Sequence, residues 1–229
     1  MHDLLQRSSG QRLSLNDYWD DFEKNFWTIR EPGFWKLERQ QVFQEPDDDS
    51  WVAFAEGRWD EAMRLIEGQR KAFAAYYQRI AECGFYTRRV RVVEKPISPY
   101  LQWELHVLRL RHEYGGRVRI VRLEQAQTFE ASGPLPEIYT LGTNVMYQAV
   151  YDQRGILESG VRFLDKSLIT RCQRFIASLY EIGEDLDSFF EREVAGLAPP
   201  LGGATDGERA TERTGEWQRQ RNTTTRQSR

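Results

Sequence analysis

The sequence predicts a mixed α/β protein, with an α+β arrangement as the alternative. It would hold a central mixed sheet of about five strands, flanked by four or so helices. Three observations lead there. Segments with apolar residues at three- and four-residue steps alternate with short runs that alternate basic and β-branched residues. Two of those runs, residues 88–94 and 117–123, bracket one helical segment. Aromatic residues make up 13% of the chain, enough to build a sizeable core although the mean hydropathy is −0.68.

Each element has its own local signal. Ser14, with Asp17 in the following turn, opens a helix. Tyr18, Trp19, Phe22, Phe26 and Trp27 form its aromatic face, and it ends before Pro32. Residues 34–43 read as extended, and the acidic residues 45–50 as a turn. Residues 57–83 read as one long helix, with Met63, Ile66, Phe73, Tyr76, Tyr77 and Ile80 inward and Gly84 as its left-handed cap. After the strand at 88–94, Pro96 breaks the chain. Ser98 then caps a new helix with Pro99 in its first turn, running from 100 to about 114.

Gly115-Gly116 closes that helix before the strand at 117–123. Residues 137–141 and 145–151 predict a hairpin about Gly142-Thr143-Asn144, and 156–163 a further strand. A stripe of Leu168, Cys172, Phe175, Leu179, Ile182, Leu186 and Phe189 predicts a single long helix over about 167–194, buried against the sheet. Residues 1–200 are expected to form one globular domain. Residues 201–229, rich in Gly, Thr, Arg, Glu and Gln, are expected to be a disordered tail.

Composition narrows the function. Net charge is −3, from 32 basic and 35 acidic residues, so no global attraction draws the chain to nucleic acid or anionic lipid. There is no apolar run of about 18 residues to span a membrane. The first residues lack a secretory pattern, and Cys83 and Cys172 form no paired motif, so reduced thiols in a cytoplasmic protein are expected. Nucleotide-binding glycine loops and a nucleophile elbow are missing, and no cofactor is expected. His2, His106 and His112 are too scattered to chelate a metal together, and no catalytic residue stands out.

One constellation points to ligand binding. Arg89 and Arg91 share a face of one strand, and Arg117 and Arg119 share a face of the next. Were the strands neighbours, Arg89, Arg91 and Arg119 could hold a phosphate or carboxylate by bidentate hydrogen bonds. Glu94 and Glu104 could equally neutralise them. Tyr100 lies one helical turn from Glu104, and Tyr100 and Trp103 would supply an apolar wall. On this reading Arg91→Ala removes binding at little cost in stability. Arginines locked to carboxylates would instead indicate a structural frame.

Several motifs occur in a fixed order: Phe34-Trp35-Lys36-Leu37-Glu38-Arg39, Trp51-x-x-Phe54-x-x-Gly57, Arg89-Val90-Arg91-Val92-Val93, Pro96-x-x-Pro99-Tyr100-Leu101-x-Trp103-Glu104 and Tyr147-x-x-x-Tyr151-Asp152-x-x-Gly155. Together they resemble the actinobacterial domain-of-unknown-function family 6879 over about residues 15–197. That resemblance implies a soluble bacterial protein, often encoded near helix-turn-helix regulators, which would be candidate partners; it implies no established activity. A fainter resemblance is to phospholipase-D-like folds, but neither His106 nor His112 begins the His-x-Lys-x-x-x-x-Asp pattern. The expected function is a non-catalytic accessory or regulatory module that binds a protein partner or a small anionic ligand. The alternative is a hydrolase acting on a phosphate-bearing substrate.

Overall fold

The computed structural model describes residues 5–200. The tail expected over 201–229 lies outside the described residues. The described chain is mixed α/β, built on one sheet of eight strands rather than about five, with eight helices rather than four. Two parallel crossovers form its centre. β2 (Phe34–Glu38) pairs in parallel with β3 (Thr87–Val93), and β3 with β4 (Arg117–Arg122). Antiparallel strands complete both edges. β5 (Ile138–Leu141), β6 (Val145–Tyr151), β7 (Leu157–Phe163) and β1 (Gln11–Ser14) extend one side, and β8 (Glu184–Asp185) lies outside β4.

The chain between β2 and β3 carries three helices, because 48 residues must return across the sheet. They are α2 (Asp49–Ala55), α3 (Trp59–Gly68) and α4 (Arg70–Glu82). The acidic turn is therefore also a helix start: the Asp48 carboxylate accepts from the Ser50 and Trp51 N–H groups. The long helix expected over 57–83 is two helices meeting at Gln69, which lets α3 and α4 each follow the curve of the core.

α5 (Pro99–Glu113) makes the second crossover, with the Ser98 hydroxyl accepting from Leu101 N–H. Both faces of α5 are covered, so its buried residues run nearly all round and no single apolar stripe marks it. α1 (Leu15–Phe26) opens at Ser14 and lays Tyr18, Phe22 and Phe26 on the hairpin strands. A Cβ at Gly160 of β7 would collide with the Tyr18 ring, so this contact requires glycine.

The two sheet faces bury different cores. One face, under α1–α5, is aromatic: Tyr18, Phe26, Phe34, Phe54, Phe85, Tyr100, Trp103, Tyr139 and Tyr147. The other is aliphatic: Leu37, Val90, Val92, Val121 and Ile138 pack under α7 (Lys166–Ile182), beside the short α6 (Leu123–Gln127).

The single helix expected over 167–194 is interrupted. α7 stops at Gly183, whose extended ψ of 148° releases the chain to pair as β8 against Arg119 and Ile120. Asp185 then caps α8 (Leu186–Glu193), which packs on the opposite face of the sheet beside α5. The heptad stripe thus belongs to two cores. Ile176 rather than Phe175 is the buried member, and Ile182 is 49% exposed.

Leu179 is completely buried and Ile182 is not, so their aspartate substitutions should diverge. Leu179→Asp is expected to cost roughly 4 kcal/mol, and Ile182→Asp within about 0.5 kcal/mol of zero, in denaturant titrations. Equal losses would show that the stripe continues as one buried face.

Candidate functional site

β2 and β3 end side by side, and α5 begins just beyond β3. Alternation along β2 turns Lys36 and Glu38 toward the aromatic face, and along β3 it turns Arg89 and Arg91 the same way. Register sets Lys36 beside Arg89 and Glu38 beside Arg91. Glu104, on the second turn of α5, points back at the sheet. The result is a group of charged side chains under helices, at the carboxyl ends of parallel strands, where open α/β sheets commonly bind ligands.

Pairing within the group is close. Arg91, completely buried, donates from Nε to Glu104 Oε2 at 2.7 Å and from Nη1 to the Val92 carbonyl at 3.1 Å. Arg89 donates from Nη1 to Glu38 Oε2 at 2.5 Å, and Lys36 pairs with the other oxygen of Glu38. The Tyr100 hydroxyl donates to Glu45 Oε1 at 2.7 Å rather than to Glu104. Glu137, which opens β5, accepts the Arg39 and Gln40 N–H groups at 2.7 and 2.6 Å on Oε1. Its Oε2, Arg91 Nη2, the Tyr139 hydroxyl and Trp103 Nε1 are buried without a hydrogen bond within the described chain.

The segment between β2 and α2 straps this group down. Gln41 donates to the Val92 carbonyl and accepts from Glu94 N–H, its own carbonyl accepts from the Ser98 hydroxyl, and Gln44 N–H donates to the Gly155 carbonyl. Phe43 lies between the rings of Tyr100 and Tyr151.

Burial sets the proton affinities. It pushes Glu38 up, but Arg89, Lys36 and Arg91 together outweigh it and hold the carboxyl at about 2. Burial raises Glu104 too, with Arg91 pulling it down and Glu38 pushing it up. For Glu45, burial outweighs the Tyr100 hydrogen bond, and the charges of Glu104 and Asp48 add to it, lifting the carboxyl to about 7. For Glu137, burial and Glu38 likewise lift it to about 7, against its two backbone hydrogen bonds. Burial works against the Arg91 charge, but Glu104 and Glu38 more than restore it. Two carboxyls of the group therefore hold protons near neutral pH beside an arginine that remains charged.

Of the residues nominated from sequence, Arg89, Arg91, Tyr100 and Glu104 meet here. Trp103 sits behind them, stacked on Phe54 within the core, and presents no wall to a ligand. Arg119 does not join them. Parallel pairing sets Arg91 against Ile120, so Arg119 points to the opposite face, where it donates to the Gly183 carbonyl and lies over the Tyr180 ring. Glu94 is exposed and neutralises neither arginine; Glu38 does so for Arg89.

The partners that sequence reading missed are Glu38, Glu45 and Glu137. Alternation had placed Lys36 and Glu38 on one side of β2. Nothing local, however, says that residues 38, 45, 104 and 137 converge. The expectation that Arg91→Ala costs little stability also fails, because it would leave Glu104 buried without its cation.

His112, Asp185 and Asp187 form the grouping with metal-ligand spacing. His112 Nδ1 accepts the Val118 N–H at 3.2 Å, which assigns the ring proton to Nε2, facing Asp185 at 3.8 Å. Asp185 Oδ1 is taken up capping α8. A metal bound through His112 Nε2 would move the ring proton to Nδ1 and cost the Val118 hydrogen bond, while Asp185 Oδ2 could serve without releasing the Oδ1 cap.

Residues 20–191, which include every strand except β1 and every member of the charged group, match the family model described as Domain of unknown function (DUF6879). The chain belongs to this family. No curated protein matches the sequence. Within the family region, no described helix is long and apolar enough to cross a membrane.

Glu45 and Glu137 give the fold a defined pH response. Unfolded, both would titrate near 4.5; folded, both hold protons up to about 7. Between those values the folded state binds more protons, so stability falls as pH rises through the window and levels off above it. Glu38 acts in reverse, and its contribution is lost as pH falls toward 2. The double substitution Glu45→Gln, Glu137→Gln should reduce the fall in melting temperature between pH 5 and 7.5 by roughly 5 °C or more. An unchanged slope would show that neither carboxyl is held neutral.

Proposed function

We propose that this family member is a non-catalytic binding module, meeting a protein partner or a small anionic ligand at its surface. What supports placing function at the surface is the pairing of Arg91 with Glu104 and of Arg89 with Glu38, which makes this interior group a frame and leaves binding to the outside of the fold. An arginine free to bind an anion keeps its guanidinium edge open; these two are spent on carboxylates of the same chain. The group then serves as a frame that fixes α5 and the strap over the ends of β2 and β3.

A hydrolytic role, with a phospholipase-D-like fold, is the second reading, and it too has an observation in its favour. Glu45 and Glu137 are carboxyls able to give or take a proton near pH 7, next to a buried cation. A phosphate ester admitted to this group by an opening of the strap would meet an acid and an arginine together.

The two readings separate experimentally. For a frame, Arg91→Ala should lose roughly 3–5 kcal/mol of stability, and the joint Arg91→Met, Glu104→Leu exchange should recover much of it. For a hydrolase, the folded wild-type chain should turn over a chromogenic phosphomonoester or phosphodiester, and Glu137→Gln should abolish that turnover. Turnover that depends on Glu137 would overturn the binding-module reading.

A further inference from the structure

Three arginines that no carboxylate claims lie on the other face of the sheet, near the amino ends of the parallel strands. Register sets Trp35, Arg88 and Arg117 in a row across β2, β3 and β4. Arg119 follows Arg117 on the same face of β4. Arg88 donates to the Pro32 carbonyl at 3.2 Å and lies 4.8 Å from the Trp35 ring; Arg117 stacks 3.9 Å from the Tyr86 ring, with Arg88 at 5.7 Å from the same ring. None of the three forms an ion pair among the described residues, although 35 acidic residues are present in the chain.

Like charges directly opposite on neighbouring strands repel. Arg88 and Arg117 are such a pair, and the arginines that do have acids, Arg89 and Arg91, are their immediate neighbours on β3. The Tyr86 and Trp35 rings hold these guanidiniums in place without neutralising them, and no carboxylate of the described residues pairs with either. Asp185 lies opposite Arg119 in the β4–β8 pair without forming an ion pair with it, while the neighbours of Arg88 and Arg117 are aromatic. Tyr86 is 45% exposed, Tyr180 is half-buried beside Arg119, and Ile182 at the end of α7 is exposed. Arginine and exposed tyrosine are residue types enriched at the centres of protein-binding surfaces. With a net charge of −3 and three cations in the patch, a long polyanion has little beyond it to hold.

We propose that Arg88, Arg117 and Arg119, on one face of β3 and β4 beside the exposed Tyr86, form a docking surface for an acidic segment of a partner protein, one that alternates carboxylates with aliphatic side chains. This rests on the binding-module reading and assigns its surface. The carboxylates would relieve the repulsion between Arg88 and Arg117, and the aliphatic residues would cover Tyr86.

The test uses the full chain and a fluorescein-labelled peptide of repeated Glu-Glu-Leu, followed by fluorescence anisotropy near physiological salt. A single-stranded oligonucleotide of similar length and inorganic phosphate are run beside it. Saturable peptide binding is expected, weakened at least tenfold in Arg88→Ala, Arg117→Ala and in the exposed charge reversal Arg117→Glu, with melting temperatures close to wild type. Absence of peptide binding, or equal binding by both variants, overturns the proposal. Oligonucleotide or phosphate binding that depends on Arg88 and Arg117, without peptide binding, overturns the acidic-peptide assignment while leaving the binding-module reading in place. That reading falls separately, through the turnover assay on Glu137→Gln.

Discussion

The ion pair between Arg91 and Glu104 is the contact on which the rest of the architecture turns. It joins the middle strand of the parallel segment to the helix that follows it, in a place fully withdrawn from water. A charge in such a place is tolerated only with a partner at hydrogen-bonding distance, and breaking the pair is far more costly than never having built it. That fixes the position of α5 along the sheet. From it follow the placement of Tyr100 over Glu45, the path of the strap through Gln41 and Phe43, and the burial of Glu137 at the start of β5.

The sheet separates its arginines by parity. Even and odd positions of β3 and β4 face opposite sides, and each side solves the problem of positive charge differently. Inside, Arg89 and Arg91 are met by Glu38 and Glu104. On the other face, Arg88, Arg117 and Arg119 are met by rings and carbonyl oxygens. An aromatic face orients a guanidinium but does not neutralise it, so charge balance on that side is left to whatever the surface meets. The interior group supports the strand ends, and the exposed group is the one with bonding capacity to spare.

Much of the fold was legible because its signals are local. The Ser14 and Ser98 caps, Pro99 in the first turn of a helix, and the hairpin about Gly142 each depend on a few adjacent residues. Elements that depend on distant partners were not legible. β1 and β8 are edge strands of four and two residues, defined by the strand each pairs with. The break at Gly183 interrupts an unbroken apolar period, because the two halves of the stripe serve cores on opposite faces of the sheet.

The sequence by itself determined the mixed α/β class, the order of most helices and strands, and which arginines share a face of each strand, since side-chain parity along a strand is a property of the backbone. Only the tertiary structure decided the relative register of β3 and β4, and with it that Arg119 faces away from Arg91. Only it decided that the carboxyl groups of residues 38, 45, 104 and 137 gather at the ends of β2 and β3, with Arg89, Arg91 and Tyr100 between them. Those positions lie on four separate segments, and the attraction that joins them acts through space, after the chain has brought them out of water.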